Sequence, residues 1–352
     1  MITTPHRVAD DPGTTWVKDE APVIEPPPDD AGTQHPAPAG RWSPTALRSG
    51  VYGVVTPNVV DFDGGYRMYY TQILPRPGNP AGANDYDNST TRILSATSAD
   101  GEIWLPESGV RLSAYDGGAG AYRVVSPEVV PMDESGSLRM YYECCVGPSQ
   151  PSSIRSAVST DGGLSWAVEL GVCVDGTDSY NAPRVLPLAD GRWRLYCGAR
   201  GVGIISAISQ DGGRTFQREP GLRLAASLSY EALTLFAPEV LRIADAGYRM
   251  YSAGYSAANR AYVLSAVSED GLLWYKEPTP VVAPGGRWDR AKCSEMCVMS
   301  LPQSTGLARY RMMYEACDGT ADDERGVWRI ASATSSAEDP RSSSIVHPQD
   351  NM

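Results

Sequence analysis

The strongest constraint on the fold of this chain is an internal repeat that occurs five times. Each copy has an aromatic residue or Leu, then Arg, then Met or Leu, then Tyr or Met, and a variable fifth residue. The copies are residues 66–70, 138–142, 193–197, 248–252 and 310–314. Such residues favour β-strands, and units that recur every roughly 50–70 residues are typical of blade-like arrays. The repeat therefore predicts one large β domain, although 352 residues could also form two domains.

Two more strand-like elements flank each copy, and a turn follows most of them. The elements ahead are residues 56–60, 126–130, 182–186, 237–241 and the looser 293–297, and those behind are 93–98, 154–159, 204–209, 263–268 and 330–335. Four units then continue into an Asp-Gly turn and an aromatic residue: Trp104, Trp166, Phe216 and Trp274. Asp bonds its own backbone in such turns, and Gly supplies positive φ. Each unit is therefore predicted to be a four-stranded antiparallel meander, which is a propeller blade.

The fifth unit lacks its turn and outer strand, and a matching segment lies at the other end of the chain. Residues 8–16 align without a gap on residues 158–166. We therefore predict an all-β, five-bladed β-propeller whose ring is closed by an N-terminal strand in the last blade, which leaves no open strand edge. The predicted boundaries are 8–26 for the closing strand, 27–48 for a connector, 49–113, 114–174, 175–225, 226–283 and 284–336 for the five blades, and 337–352 for a tail.

Composition argues against several classes of function. The formal net charge is −12 without any Lys/Arg cluster, so we expect neither nucleic acid nor an anionic membrane surface as a partner. No apolar run reaches the roughly 18 residues of a membrane span. No secretory signal is visible and the seven cysteines match no zinc motif, so we expect a cytoplasmic protein with reduced thiols.

Imidazole chemistry is also unexpected. The three histidines, His6, His35 and His347, lie outside the repeats, so the blades offer no His for a catalytic triad or a metal site. We expect no cofactor. A central Ca²⁺ would suit carboxylates and carbonyls, but no calcium loop is present in the sequence.

The repeat resembles the five-bladed β-propeller glycosidase superfamily, which includes arabinanases, β-xylosidases, invertases, levansucrases and mannoside phosphorylases. The Ser-x-Asp-Gly-x-x-Trp turns also look like the Asp-box of sialidases. The resemblance covers about residues 8–335 and implies a glycosidase with acidic residues on the innermost strands, facing a central funnel. The family usually has acids just before the strand's Pro. Here the pre-Pro positions hold Thr56, Ser126, Ala182, Ala237 and, in the looser fifth unit, Cys293.

The candidate catalytic residues lie at the position directly after the strand's Pro. It holds Asn58, Glu128, Arg184, Glu239 and, in the fifth unit, Glu295. Residues i and i+2 of a strand share a face, so these side chains should point the same way as the family's acids. Glycoside cleavage needs two carboxyls, about 5–5.5 Å apart for retention or roughly 6.5–9.5 Å for inversion. We therefore expect Glu128, Glu239 and Glu295 to supply the catalytic carboxyls.

The remaining candidates are expected to bind substrate. The polar ones are Asn58, Arg184, Glu143, Glu315 and Asp289, and the aromatic ones, suited to stacking on a sugar, are Tyr52, Tyr122, Tyr180, Phe236 and Trp288. The same glutamates could instead pair with Arg and hold the ring together. Two other functions stay open: a glycosidase-like scaffold repurposed in a biosynthetic pathway as a cyclase, lyase or isomerase of a small molecule, and a non-catalytic sugar- or partner-binding propeller.

Overall fold

A computed structural model describes residues 7–8, 10–26, 53–75, 89–114, 121–132, 136–147, 150–176, 178–243, 247–301, 309–319 and 327–336. Among these residues, every regular element except one 3₁₀ turn, Ser229–Glu231, is a strand. The strands are β1 (Arg7–Val8), β2 (Val17–Lys18), β3 (Gly53–Phe62), β4 (Gly65–Pro75), β5 (Ser89–Ser98), β6 (Leu105–Pro106), β7 (Leu112–Ser113), β8 (Arg123–Pro131), β9 (Leu138–Cys145), β10 (Ser153–Ser159), β11 (Ala167–Val168), β12 (Tyr180–Pro187), β13 (Trp193–Ala199), β14 (Gly203–Ser209), β15 (Gln217–Arg218), β16 (Thr234–Ile243), β17 (Gly247–Ala257), β18 (Arg260–Ser268), β19 (Tyr275–Lys276), β20 (Lys292–Ser300), β21 (Arg309–Cys317) and β22 (Trp328–Ser336). The predicted all-β class is confirmed.

Pairing divides most of these strands into antiparallel meanders of four. Within the described residues they are meander 1 (β3-β4-β5-β6), meander 2 (β8-β9-β10-β11), meander 3 (β12-β13-β14-β15), meander 4 (β16-β17-β18-β19) and meander 5 (β20-β21-β22-β2). The first strands contact one another in the cyclic order β3, β8, β12, β16, β20 and back to β3. The innermost strands therefore surround a common axis.

The N-terminal segment supplies the outer strand of meander 5. Val17 pairs with Thr334 and Lys18 with Ala333 in antiparallel register, and Ile24 forms a further bridge to Ile330. The preceding β1 adds a short parallel pairing with β16 that the sequence did not indicate. The connector at 27–48, the tail at 337–352, the three histidines and Tyr52 lie outside the described residues.

The repeated motif joins each meander to the next. In four meanders the fourth residue of the motif, a Tyr, donates its hydroxyl to a glycine carbonyl in the next turn: Tyr69 to Gly163 (3.3 Å), Tyr141 to Gly213 (2.5 Å), Tyr196 to Gly271 (2.9 Å) and Tyr251 to Gly13 (2.7 Å). The motif Arg reaches the same turn, as Arg139 does at the carbonyl of Gly212 (2.8 Å) and Arg311 at that of Gly101 (3.1 Å). The motif is therefore a clasp between neighbouring meanders.

Glycine is required where the clasp closes. Gly163 has φ of 87°, and a Cβ there would lie 1.9 Å from the hydroxyl oxygen of Tyr69. The turn itself is held by Asp161, which accepts bonds from Ser165 Oγ (2.6 Å) and from the amides of Ser165 and Leu164. These bonds, led by that of the Ser165 side chain, lower the pKa of Asp161 well below its usual value. The turn chemistry is structural and lies away from the axis.

Candidate functional site

Five side chains at one level of the first strands form a ring around the axis, here named the central ring: Asn58, Glu128, Arg184, Glu239 and Cys297. Asn58 Nδ2 donates to Glu128 Oε2 at 2.6 Å, and Arg184 Nε donates to Glu239 Oε2 at 2.7 Å. Ring members also accept backbone amides from the next meander: Val129 to Asn58 (3.0 Å), Val185 to Glu128 (3.0 Å), Val298 to Glu239 (3.0 Å) and Val59 to Cys297 Sγ (3.3 Å). The ring therefore ties all five first strands together.

Charge in the central ring is balanced around Arg184. Its Nε lies 2.7 Å from Glu239 Oε2 and 3.8 Å from Glu128 Oε2, and all three side chains are buried. Burial works to lower the pKa of Arg184, but the carboxylates of Glu239 and Glu128 outweigh it and the pKa rises. The guanidinium also donates to the carbonyls of Pro57 and Met296 at 3.3 and 3.0 Å. Arg184 therefore joins both carboxylates of the ring and two backbone carbonyls in one buried network.

The fifth member of the ring corrects the sequence alignment. Asn58, Glu128, Arg184 and Glu239 each pair with the Tyr at the fourth position of the following motif, and Cys297 pairs with Met313, which occupies that motif position in meander 5. The prediction that Glu295 shares the position of the other four was therefore wrong by two residues. The fifth strand has no Pro to mark the register, and the acidic residue type suggested an incorrect match.

Glu295 instead occupies the position that precedes the Pro in the other meanders. Its equivalents are Thr56, Ser126, Ala182 and Ala237, and Cys293 is displaced two residues toward the start of the strand. Each strand has a bulge at this point. The four equivalents have left-handed φ values of 56°, 53°, 46° and 51°. One acid therefore does stand at the position that the resemblance makes important.

We name this level the bulge layer and include the second-strand residues beside it. Those residues pair with the residue just ahead of each bulge and are Thr71, Glu143, Gly198, Ala253 and Glu315. Meanders 5, 1 and 2 contribute acids and hydroxyls to the layer, whereas meanders 3 and 4 contribute only alanine and glycine. The bulge layer thus carries polar side chains on one side of the axis and only small side chains on the other.

A chain of hydrogen bonds connects the two acids of meander 5. Glu315 accepts the amide of Thr56 (2.9 Å) and the hydroxyl of Ser294 (2.6 Å), and Glu295 is the residue after Ser294. From the other side, Thr56 Oγ1 donates to Thr71 Oγ1 at 2.7 Å, and the amide of Ser126 bonds the same oxygen at 3.3 Å. Ser126 Oγ then donates to Glu295 Oε2 at 3.2 Å. Two buried carboxylates therefore share one polar network beside the axis.

Glu143 belongs to the same layer but has different neighbours. Its Oε1 lies 3.6 Å from Arg123 Nη2, an ion pair that is longer than a hydrogen bond, and both side chains are buried. This Oε1 atom has no hydrogen-bond partner among the described residues. The sequence predicted Glu143 and Glu315 as substrate-binding residues, and the structure gives them equivalent positions on second strands.

Asp289 and Trp288 anchor the closing strand. Asp289 accepts bonds from Tyr314 Oη (2.8 Å), the amide of Gly286 (2.7 Å) and Lys18 Nζ (2.5 Å). Burial opposes ionisation of Asp289, but the Lys18 ammonium overcomes it and the pKa is lowered. Trp288 Nε1 donates to the carbonyl of Glu20 at 2.9 Å. These contacts hold the N-terminal segment, so neither residue joins the bulge layer through its described bonds.

The aromatic candidates lie in different places relative to the bulge layer. Phe236 is half-buried at the level of the bulge layer, and its ring lies 5.7 Å from that of Tyr255. Tyr180 is buried and donates to the carbonyl of Asp175 at 3.4 Å. Tyr122 is half-buried at the start of meander 2, and its backbone amide bonds the carbonyl of Cys145 at 2.7 Å. Phe236 is therefore the aromatic candidate that the structure places beside the bulge layer.

Sequence reasoning missed Asn181, which faces Gly198 in the strand register. Its equivalents are Val55, Val125, Phe236 and Ser294. An amide among mostly apolar equivalents was the available signal, but it becomes visible only when the repeats are aligned by the bulge. As for metals, the described part of the chain holds no cluster of three or more His, Cys, Asp or Glu side chains suited to an ion.

Comparison with known proteins finds likeness in structure alone. No family model and no curated protein matches the sequence. A thermostable family-43 glycoside hydrolase superimposes with a TM-score of 0.63 at 16% identity, covering 85% of this chain and 96% of its own. A structure from the mannoside phosphorylase family that contains hydrolases of β-1,2 mannosidic linkages in Candida mannan gives 0.64 at 13% identity, covering 95% and 99%. A β-xylosidase gives 0.61 at 13% identity, covering 82% and 94%.

The chain therefore has the β-propeller fold of these glycoside hydrolases, as the repeat predicted. A shared fold does not carry an activity with it, because unrelated chemistries occur on one scaffold. No helix in the described residues is long and apolar enough to cross a membrane.

Proposed function

We propose that this protein is a glycosidase-like enzyme on a closed five-bladed propeller, with the five meanders as blades and the bulge layer at the base of a substrate funnel. The cyclic contacts of the first strands support a closed ring. The clasps support it further, because the motif of meander 4 bonds the N-terminal turn and that of meander 5 bonds the turn of meander 1. A carbohydrate is the proposed substrate.

The observation that carries the proposal is the Glu295–Glu315 network. Glycoside cleavage requires one carboxyl that donates a proton to the leaving oxygen and a second that acts as base or nucleophile. Glu295 stands at the position where the propeller glycosidases have an acid, and the Ser294 hydroxyl links its strand to Glu315. We assign Glu315, held by two donors, as base or nucleophile, and Glu295 as proton donor.

Glu128 and Glu239 receive a different role in this proposal. Both flank the guanidinium of Arg184, at 3.8 Å for Glu128 and 2.7 Å for Glu239, and both also accept a backbone amide of the next meander. A carboxylate committed to an Arg and an amide is poorly placed to exchange protons with a substrate. We propose that they hold the propeller closed, which was the structural alternative for these residues.

The experiment is turnover of a panel of aryl glycosides and neutral oligosaccharides by wild type, Glu295→Gln and Glu315→Gln. Loss of a positioned acid or base should lower kcat by about 10²–10⁴-fold. Glu169→Gln is the matched control, because Glu169, like Glu295 and Glu315, accepts a Ser hydroxyl, from Ser156 Oγ at 2.7 Å, but it pairs with Arg139 (2.9 Å) on the outer side of meander 2. Hydrolysis that survives both substitutions would refute the assignment.

A repurposed scaffold is the second candidate, and one observation favours it. Four of the five bulge positions hold Thr56, Ser126, Ala182 and Ala237 rather than acids. Well-folded wild type that turns over no glycoside in the panel, yet is stabilised by a small non-sugar molecule in a thermal-shift screen, would replace the first candidate with this one.

A further inference from the structure

Three meanders share one contact between the outer strand and the loop that precedes the first strand, here named the loop clamp. The second residue of the outer strand is a cation that reaches an acid of that loop: Arg218 to Asp178 in meander 3, Lys276 to Glu231 in meander 4 and Lys18 to Asp289 in meander 5. The three cations have one register, because each pairs with an Ala of the third strand. Meanders 1 and 2 have Pro106 and Val168 at this position, so a meander folds without the clamp.

The clamps of meanders 3 and 4 act on their own loops. The side chains of Arg218 and Asp178 are 39% and 34% exposed, so this ion pair lies at the surface. In meander 4, Glu231 also accepts the backbone amides of Ser227 and Leu228 at 2.9 Å each. These bonds fix the course of the loop ahead of the first strand.

The clamp of meander 5 continues into the sheet. Asp289 is only 2% exposed and accepts, besides Lys18, the hydroxyl of Tyr314 at 2.8 Å and the thiol of Cys293 at 3.3 Å. Tyr314 lies on β21 and Cys293 on β20, and both side chains are buried. One carboxylate therefore joins the N-terminal strand to both strands that carry the proposed catalytic pair.

Tyr314 and Cys293 are immediate neighbours of two residues in the Glu315 network. Tyr314 precedes Glu315, and Cys293 precedes Ser294, whose hydroxyl donates to Glu315 at 2.6 Å. Successive side chains of a strand point to opposite faces, so Asp289 holds the reverse face of the backbone that presents Glu315 and Ser294. A shift of either strand at Asp289 would change the distance between those two side chains.

The N-terminal strand supplies the charge that keeps this contact in place. Lys18 is held against meander 5 by its pairing with Ala333, and its Nζ also donates to the carbonyl of Ala283 at 2.5 Å. A buried carboxylate that loses its cation is strongly destabilised, so it moves toward water or takes up a proton. Either change at Asp289 would weaken its hold on the two strands, because hydrogen bonds to a charged, well-placed acceptor are the strong ones.

We propose that Lys18 and Asp289 are positioning residues for Glu315 and Ser294, so that docking of the N-terminal strand sets the geometry of the proposed catalytic pair. The inference rests on the proposed function and adds to it a dependence on a distant segment of the chain. Catalytic groups need supporting residues that hold them to within about 0.5 Å. Of the three loop clamps, the one in meander 5 has this role, and the other two fix their loops alone.

Amide hydrogen exchange, resolved by NMR, tests the coupling without any substrate. The reporter is the amide of Thr56, which donates to Glu315 Oε1 at 2.9 Å, and the reference is the amide of Val129, which donates to Asn58 of the central ring at 3.0 Å. We expect Lys18→Met to speed exchange at Thr56 about tenfold or more and to leave Val129 within about twofold of wild type. Lys18→Arg keeps the cation and should keep exchange at Thr56 slow.

Lys276→Met is the matched control, because it makes the same substitution at the equivalent position of meander 4. Arg218→Met is a second control at the exposed clamp of meander 3, where the substitution should leave a folded protein. Both should leave exchange at Thr56 unchanged relative to Val129. Unchanged exchange at Thr56 in Lys18→Met, equal acceleration of Thr56 and Val129, or the same effect from a control would overturn the inference.

Turnover of the best aryl glycoside of the panel gives a second readout. Lys18→Met should lower kcat about tenfold and leave KM within about twofold, because it displaces a carboxylate and removes no substrate contact. Selective acceleration at Thr56 without glycoside turnover by wild type would keep the positioning role and refute the enzyme. Turnover that depends on Glu295 and Glu315 but is unaffected by Lys18→Met would do the reverse.

Discussion

The central ring and the bulge layer lie at adjacent levels of the same first strands and are built in opposite ways. The ring repeats one arrangement around the axis, in which a side chain bonds the next meander. The bulge layer breaks the repeat, with carboxylates and hydroxyls from meanders 5, 1 and 2 and alanine or glycine from meanders 3 and 4. Regular bonding is what closure of a ring demands. Irregular placement of acids is what the proposed substrate site needs.

We expect the largest loss of stability from a substitution that breaks the central ring. Arg184→Met removes the cation between Glu239 and Glu128 and should destabilise the protein by roughly 3–5 kcal/mol, because it leaves two buried carboxylates uncompensated. Urea unfolding measures the loss. The control is Arg192→Met, whose partner Asp190 lies with it at the surface, and which should leave the unfolding midpoint unchanged. Equal effects of the two substitutions would contradict the structural role of the ring.

We expect a smaller loss of stability at Cys297, whose sulfur is the weakest hydrogen-bond acceptor of the ring. Cys297→Ala removes the sulfur that accepts the Val59 amide at 3.3 Å and should cost about 1–3 kcal/mol, the range for a buried donor left without a partner. Burial raises the pKa of the Cys297 thiol well above its usual value, so thiol-directed reagents should react with it only after unfolding. Labelling of Cys297 in the native state, followed by mass spectrometry, would show that the ring is open.

In the bulge layer, one substitution is expected to increase stability rather than reduce it. Ala237 has φ of 51°, a conformation that costs a residue with a Cβ about 1–2 kcal/mol. Ala237→Gly should therefore raise the free energy of unfolding, by up to about 1 kcal/mol. Ala253→Gly, in the neighbouring strand and without a positive φ, should lower it by about 0.5–1 kcal/mol. Destabilisation by both would remove the argument that the bulge is strained.

Asp289 lies outside both layers and predicts a pH dependence for the closing strand. Its folded pKa is lowered from 3.8, against the opposing effect of burial, mainly by Lys18. A lowered folded pKa means that the contribution to stability is complete above the unfolded pKa and is lost as the pH falls below about 4 through the folded value. The difference in unfolding free energy between wild type and Asp289→Asn should therefore shrink between pH 5 and pH 2, as measured by urea unfolding. A difference that stays constant would contradict the role of the Lys18 contact.

The sequence predicted the parts of the molecule that repeat. The motif, the flanking strands and the Asp-Gly turns recur with one register, so their alignment located four-stranded units and four members of the central ring. It failed in meander 5, where the Pro is absent and Glu295 was aligned with residues two positions away from its true equivalents. It could not separate Glu128 and Glu239 from Glu295 and Glu315, because the roles proposed for them depend on partners in other meanders that a pattern along the chain does not show.

The central claim is that the ring carboxylates hold the fold and the bulge-layer carboxylates do the chemistry. Its most direct test is turnover per folded molecule, with the folded fraction measured by urea unfolding, for Glu128→Gln, Glu239→Gln, Glu295→Gln and Glu315→Gln on the best aryl glycoside of the panel. We predict that the first two lose stability and keep turnover within about threefold, whereas the last two lose about 10²-fold or more. Turnover abolished by Glu128→Gln or Glu239→Gln but retained by Glu295→Gln and Glu315→Gln would contradict the claim.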